Sequence, residues 1–162
     1  MMRTGFGYDT HRFCAGDYIV IGGEKIPFSQ GIDAHSDGDV LLHAICDAVL
    51  GAAGLGDIGQ HFPDNESKYR DIDSSVLLQN VMRKIENSYV VRNVDCTVVL
   101  EKPKLAGHIP AMKTNVSRLL GISASDVNVK ATTNEGMGFV GRGEGVVAYA
   151  VALLQQHSPP DS

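Results

Sequence analysis

With 162 residues, 43% of them hydrophobic and 20% charged, the chain is long enough to bury one core and too short for two ordinary domains. A formal net charge of −5 without any basic run argues against a nucleic-acid or anionic-membrane surface, so a polyanionic ligand would have to be held locally. Cys14, Cys46 and Cys96 lack metal-type spacing and fit a reducing, cytoplasmic compartment; no apolar run approaches a membrane span and no targeting segment is expected before Gly5.

A strand is predicted over residues 3–13, and its alternation puts Asp9 and His11, two apart, on the same face. Residues 18–27 read as a second strand region broken by a Gly22-Gly23 turn. A helix follows over 37–53. From Val40 to Leu55 almost everything is Val, Leu, Ile, Ala, Cys or Gly, the pattern of a helix buried on nearly all sides. Asp39, His43 and Asp47, spaced by four, draw a polar line along it, and Ser36 with Asp39 has the form of a capping box at its start.

Residues 56–73 show no periodicity, and so long an irregular stretch in a compact domain is either a substrate flap or a surface excursion. Beyond it the patterns predict a helix over 74–86, a strand over 90–100, a helix over 109–120 stopped by Gly121, and strands over 127–132 and 145–154. The alternation of the 94–100 segment is imperfect, and its pairing direction cannot be read from it. Residues 155–162 form a polar tail expected to fray, leaving one domain over 1–154. Strands interleaved with helices point to a sandwich in which one sheet lies against a layer of helices.

The polar groups on the buried helix need partners, since burying one unpaired costs on the order of 1–3 kcal/mol. A divalent metal held by Asp9, His11 and His43 would supply one, as three protein ligands with a position left open. Asp39 or Asp47 could then take the remaining ring N–H of His43. A hydrogen-bonded core histidine is the competing reading.

Taken in order, GFGYDTHRF at Gly5–Phe13, IGGEKIPF, GIDAHSDGDVLLHAICDAVLGAAGLGDIG at Gly31–Gly59, HFPD, NVD, KPKL, HIPAMK, VNVKATT and GRGEGVVAYAVALL resemble the 2-C-methyl-D-erythritol 2,4-cyclodiphosphate synthase family over nearly the whole chain. The resemblance implies an α+β, ferredoxin-like βαβ sandwich with one mixed sheet, assembled as a homotrimer whose sheets pack around the three-fold axis. It also implies cyclisation of 4-diphosphocytidyl-2-C-methyl-D-erythritol 2-phosphate with release of CMP, in sites between adjacent subunits.

Carried over by position, Zn2+ falls to Asp9, His11 and His43, and Mg2+ or Mn2+ to Glu135 with the substrate diphosphate. His35 and Thr133 fall in the catalytic positions, hydrogen-bonding the phosphates. Substrate contacts are implied at Asp9, His11, His35 and Ser36, at Asp57, Ile58, Gly59, Phe62, Pro63, Asp64, Asn65 and Glu66, and at Asn134, Glu135 and Phe139. The cytidine side takes Pro103, Lys104, Leu105, Ala131, Thr132 and Thr133 from a neighbouring subunit, with Leu100 and Ala106 as further substrate contacts. Arg142 is implied as a substrate contact as well, at a position matching one that faces a cavity on the trimer axis.

Glu101 stands where the family usually has Gln, and Asn134 where it usually has Thr. Two other functions compete: a non-catalytic trimeric metal- and nucleotide-binding sensor of isoprenoid diphosphates, and a zinc hydrolase, for which Asp57 is the ready general base.

Overall fold

A computed structural model describes residues 1–63 and 72–157. Its principal sheet is mixed and five-stranded, in the order β4-β1-β7-β5-β6, where β1 is Met2–Cys14, β4 Gly31–Asp33, β5 Tyr89–Val99, β6 Val127–Thr132 and β7 Gly145–Gln156. A separate hairpin joins β2 (Tyr18–Ile21) to β3 (Glu24–Pro27) through Gly22 and Gly23, both at positive φ, as the sequence predicts. The helices are α1 (Val40–Ala53), α2 (Ile58–His61), α3 (Ser74–Ile85), α4 (Ile109–Leu120) and α5 (Gly138–Gly141).

The α+β sandwich with one mixed sheet is as expected, but its connectivity is not that of a ferredoxin-like βαββαβ chain. Here α4 joins β5 to β6, which therefore run parallel, and β7 returns antiparallel between β1 and β5. Because β5 pairs antiparallel with β7 on one side and parallel with β6 on the other, the 94–100 segment had no single pairing direction to reveal.

Odd-numbered residues of β1 face α1, and the approach is close enough to need glycine. A Cβ on Gly5 would stand 1.9 Å from the Ala48 carbonyl oxygen, and one on Gly7 1.8 Å from that of Ala44. Ala44, Ala48 and Ala52, four apart, are the small residues that α1 turns toward this strand. Leu41, Leu42, Ile45 and Leu50 on its other sides are fully buried, and replacing such a residue by Ala typically costs about 2–5 kcal/mol.

Helix α1 begins three residues later than the sequence suggests, and its cap is Asp39 rather than a Ser36 box. Asp39 is fully buried and its carboxylate accepts from the amides of Leu42 (3.0 Å), Gly22 (2.9 Å) and Gly23 (2.7 Å). It thus ties the helix start to the β2–β3 turn. Burial pushes its pKa up to about 6 although those three amides lower it.

Candidate metal centre and nucleotide pocket

Strand β1 and helix α1 bring Asp9, His11 and His43 together at the carboxyl end of the strand. Asp9 Oδ2 lies 2.9 Å from His11 Nε2 and 3.0 Å from His43 Nδ1, and those two nitrogens are 3.2 Å apart. A tetrahedral ion with bonds near 2.0–2.1 Å holds its ligand atoms roughly 3.3 Å apart, so the triad fits one after a small outward adjustment. Carboxylate and imidazole donors suit a borderline cation such as zinc. Among the described residues this is the one His, Cys, Asp and Glu cluster that could hold a metal.

The electrostatics suit a cation too. Burial pushes the Asp9 carboxyl up, but hydrogen bonds and charge from His11 and His43 outweigh it and hold the pKa at about 2. Burial lowers the pKa of His43, and the hydrogen bond and charge of Asp9 more than offset that, leaving it above the ordinary value.

Neither helix aspartate takes the far side of the His43 ring. Asp39 is committed to backbone amides, and Asp47 accepts from the Ile58 amide at 2.7 Å, anchoring the start of α2. Instead Nε2 of His43 lies 2.8 Å from Ser74 Oγ and 3.3 Å from Ser36 Oγ. Ser74 in turn donates to Asp37. Sequence reading missed Ser74 and Asp37, because a serine opening a helix reads as a local start signal whatever it touches across the fold.

The triad lies in a cavity of about 310 Å³ that His35, Ser36, Ile58, Gly59 and Phe62 also line. Asp33, Ala34, Ile72 and Leu77 complete it and were not foreseen. The stretch expected to be irregular holds a short helix, α2. Asp57 caps it, accepting from the Gln60 backbone amide at 3.0 Å and the Gln60 side chain at 3.2 Å, and is not among the residues lining the cavity that holds the triad. Pro63 follows Phe62 at half-buried depth; Asp64, Asn65 and Glu66 lie outside the described residues.

A second cavity, of about 220 Å³, gathers Leu100, Pro103, Lys104, Leu105, Ala106, Ala131, Thr132 and Thr133, together with Glu101 and Ile109. The residues carried over for cytidine therefore do converge. Glu101 accepts from the Asn134 amide at 2.8 Å and the Asn134 side chain donates to the Met137 carbonyl at 2.8 Å, so both unusual residues brace the loop beside this cavity. Glu135 is exposed at φ 52°, its amide donating to Thr133 Oγ1 at 3.2 Å. Phe139 is also exposed, and Arg142 pairs with Glu144 at 3.0 Å.

The two cavities share no residue. Register places both at one end of the sheet, His11 opposite Val146 on β7 and Val99 opposite both Val147 and Thr132. Strands β1 and β6 are three positions apart there, roughly 14 Å at ordinary strand spacing.

Among the described residues no helix is long and apolar enough to cross a membrane, and the three cysteines are free.

The chain matches the YgbB family over residues 2–155. It is 61% identical over 155 residues to the 2-C-methyl-D-erythritol 2,4-cyclodiphosphate synthase of Methylococcus capsulatus, covering 95% of this chain and 98% of that protein. With the synthase of the same name from Syntrophomonas wolfei it shares 55% identity over 156 residues, 96% of this chain and 99% of the other. Among solved structures it is similar to the bifunctional IspDF of Campylobacter jejuni, with TM-score 0.93 and 38% identity over 98% of this chain but 43% of that one. It is also similar to IspF of Plasmodium falciparum in its CDP complex, with TM-score 0.84 and 33% identity over 97% of each chain.

Proposed function

The chain belongs to the YgbB family, and from that footing we propose that it is a lyase of isoprenoid biosynthesis. It converts 4-diphosphocytidyl-2-C-methyl-D-erythritol 2-phosphate to 2-C-methyl-D-erythritol 2,4-cyclodiphosphate and CMP. The observation that carries the reading is the Asp9, His11 and His43 triad, its three donor atoms within 3.2 Å of one another in a cavity sized for a small ligand. The CDP bound by the Plasmodium relative supports a cytidine-linked substrate.

In the reaction an oxygen of the 2-phosphate attacks the β-phosphorus, the bond from that phosphorus to the bridging oxygen breaks, and CMP leaves. The nucleophile is part of the substrate, so the protein's work is to fold the substrate back on itself and stabilise charge on phosphate oxygens. Asp9, His11 and His43 would hold zinc, and Glu135 offers the single carboxylate from which Mg2+ or Mn2+ is bound together with substrate phosphates. Bound there, the two ions supply Lewis acidity at the β-phosphate and neutralise the diphosphate. His35, lining the metal cavity, and Thr133, lining the other, hydrogen-bond the phosphates as charge builds. Ser36, Ile58, Gly59 and Phe62, which line the metal cavity, face the erythritol side, while Pro103, Lys104 and Ala131–Thr133 cradle the nucleotide.

A homotrimer with sheets packed around the axis suits this division. The face of the sheet opposite the helices exposes Phe6, Tyr8, Tyr149 and Val151, with Tyr149 ring centroids 6.2 Å from Phe6 and 5.4 Å from Tyr8. An apolar patch of that kind belongs in an interface. Pairing the metal cavity of one subunit with the nucleotide cavity of the next gives one site that neither supplies alone. A cytoplasmic location accords with the free thiols.

Phosphorus NMR of the product formed with both ions present tests the activity. A cyclic diphosphate with CMP is expected. A linear diphosphate would mean hydrolysis, and binding of CDP without turnover would leave a sensor.

A further inference from the structure

We infer that Ser74 is a positioning residue for the metal centre: buried at the start of α3 and held by Asp37, it fixes the His43 ring so that Nδ1 faces the ion. The inference rests on the reading of Asp9, His11 and His43 as metal ligands. The two nitrogens of His43 have separate partners, Nδ1 at 3.0 Å from Asp9 Oδ2 inside the cluster and Nε2 at 2.8 Å from Ser74 Oγ outside it.

A neutral imidazole that gives the Nδ1 lone pair to a cation carries its hydrogen on Nε2. That hydrogen needs an acceptor where water scarcely reaches, since the His43 side chain is 11% exposed. Ser74, itself fully buried, supplies it. The hydroxyl hydrogen of Ser74 goes on to Asp37 Oδ1, and the Ser74 amide donates to Asp37 Oδ2 at 3.0 Å. With both of its hydrogens committed to one carboxylate, Ser74 presents Oγ to the ring as an acceptor.

The other hydroxyl beside the ring is less well placed for this task. Ser36 Oγ is farther from the ring, at 3.3 Å, and already accepts from the Gly38 amide. Nor is the Ser74 hydroxyl needed to cap α3, because Asp73 does so by accepting from the Ser75 amide at 2.7 Å. The chain His43, Ser74, Asp37 therefore crosses from α1 to α3 for the sake of one ring orientation. Such an orienting bond typically changes metal affinity by about 10–100-fold.

The test is a zinc titration of the full chain, stripped of metal, against a chromogenic chelator. Ser74→Ala should bind zinc about 10–100-fold more weakly than the unsubstituted protein while its far-ultraviolet circular dichroism is unchanged, and Ser74→Thr, which keeps the hydroxyl, should recover most of the loss. Equal zinc affinity in Ser74→Ala overturns the inference and leaves Ser74 a folding residue. Failure of the unsubstituted protein to take up zinc overturns the metal reading instead. Should the variant not fold, nitrogen-15 NMR of the zinc-loaded, unsubstituted protein decides: a slowly exchanging proton on Nε2 of His43 is expected, and a proton on Nδ1 sinks the proposal.

Discussion

His43 is where burial, charge and chemistry meet, and the behaviour of single residues around it can be forecast. His43→Ala should abolish zinc uptake and turnover together, whereas Glu135→Ala should keep zinc and slow CMP release; metal analysis beside a CMP-release assay separates the two. Full zinc occupancy in His43→Ala would contradict the ligand assignment. Protons compete with the ion, and the sign follows from the raised pKa of His43: its ring stays protonated to a higher pH than an ordinary histidine. Zinc affinity should therefore fall as pH drops through that pKa, with proton release on binding measurable by calorimetry in buffers of different ionisation enthalpy. Asp39 presents the opposite case, a residue whose charge looks functional and whose work is structural. Asp39→Ala would leave three amides without their acceptor and should cost at least about 3 kcal/mol in urea unfolding.

For secondary-structure elements, the distance between β1 and α1 decides whether the triad exists. Gly5 and Gly7 let the strand backbone touch the helix backbone, and Ala44, the contact of Gly7, is the neighbour of His43 in the chain. Gly7→Ala must push the two apart, since its Cβ would meet backbone rather than a movable side chain. We expect a loss of about 3 kcal/mol or more, at or beyond the upper end of ordinary overpacking costs. Weakened zinc binding should accompany it, because Asp9 moves with the strand and His43 with the helix. Unchanged stability and zinc affinity would mean that the element spacing is set elsewhere.

At the scale of the whole molecule, the two cavities lie on strands at different positions in the sheet and share no residue, and the proposed two-subunit site is tested by mixing variants. Subunits of inactive His11→Ala co-refolded with inactive Lys104→Ala should regain part of the activity, because some interfaces then pair two intact halves. No recovery would place the whole site in one chain. Charging the exposed aromatic face, as in Tyr149→Lys, should lower the assembled mass seen by sedimentation and reduce turnover with it.

Much of this was legible in the linear order of residues. Alternation put Asp9 and His11 on one face, an oily helix made His43 conspicuous, and the ordered motifs matched one family along nearly the entire chain. Local patterns carry such information because strand and helix periodicities are properties of neighbouring residues. They do not say which distant group a side chain meets. Hence Ser74 looked like a helix start, Asp39 and Asp47 looked like partners of His43, and Asp57 looked like a base. Only tertiary packing, which brings the start of α3 against α1 and the β2–β3 turn against Asp39, settled where those hydrogen bonds go. Connectivity of the sheet was likewise a long-range matter, fixed by the α4 crossover and by β7 inserting between β1 and β5.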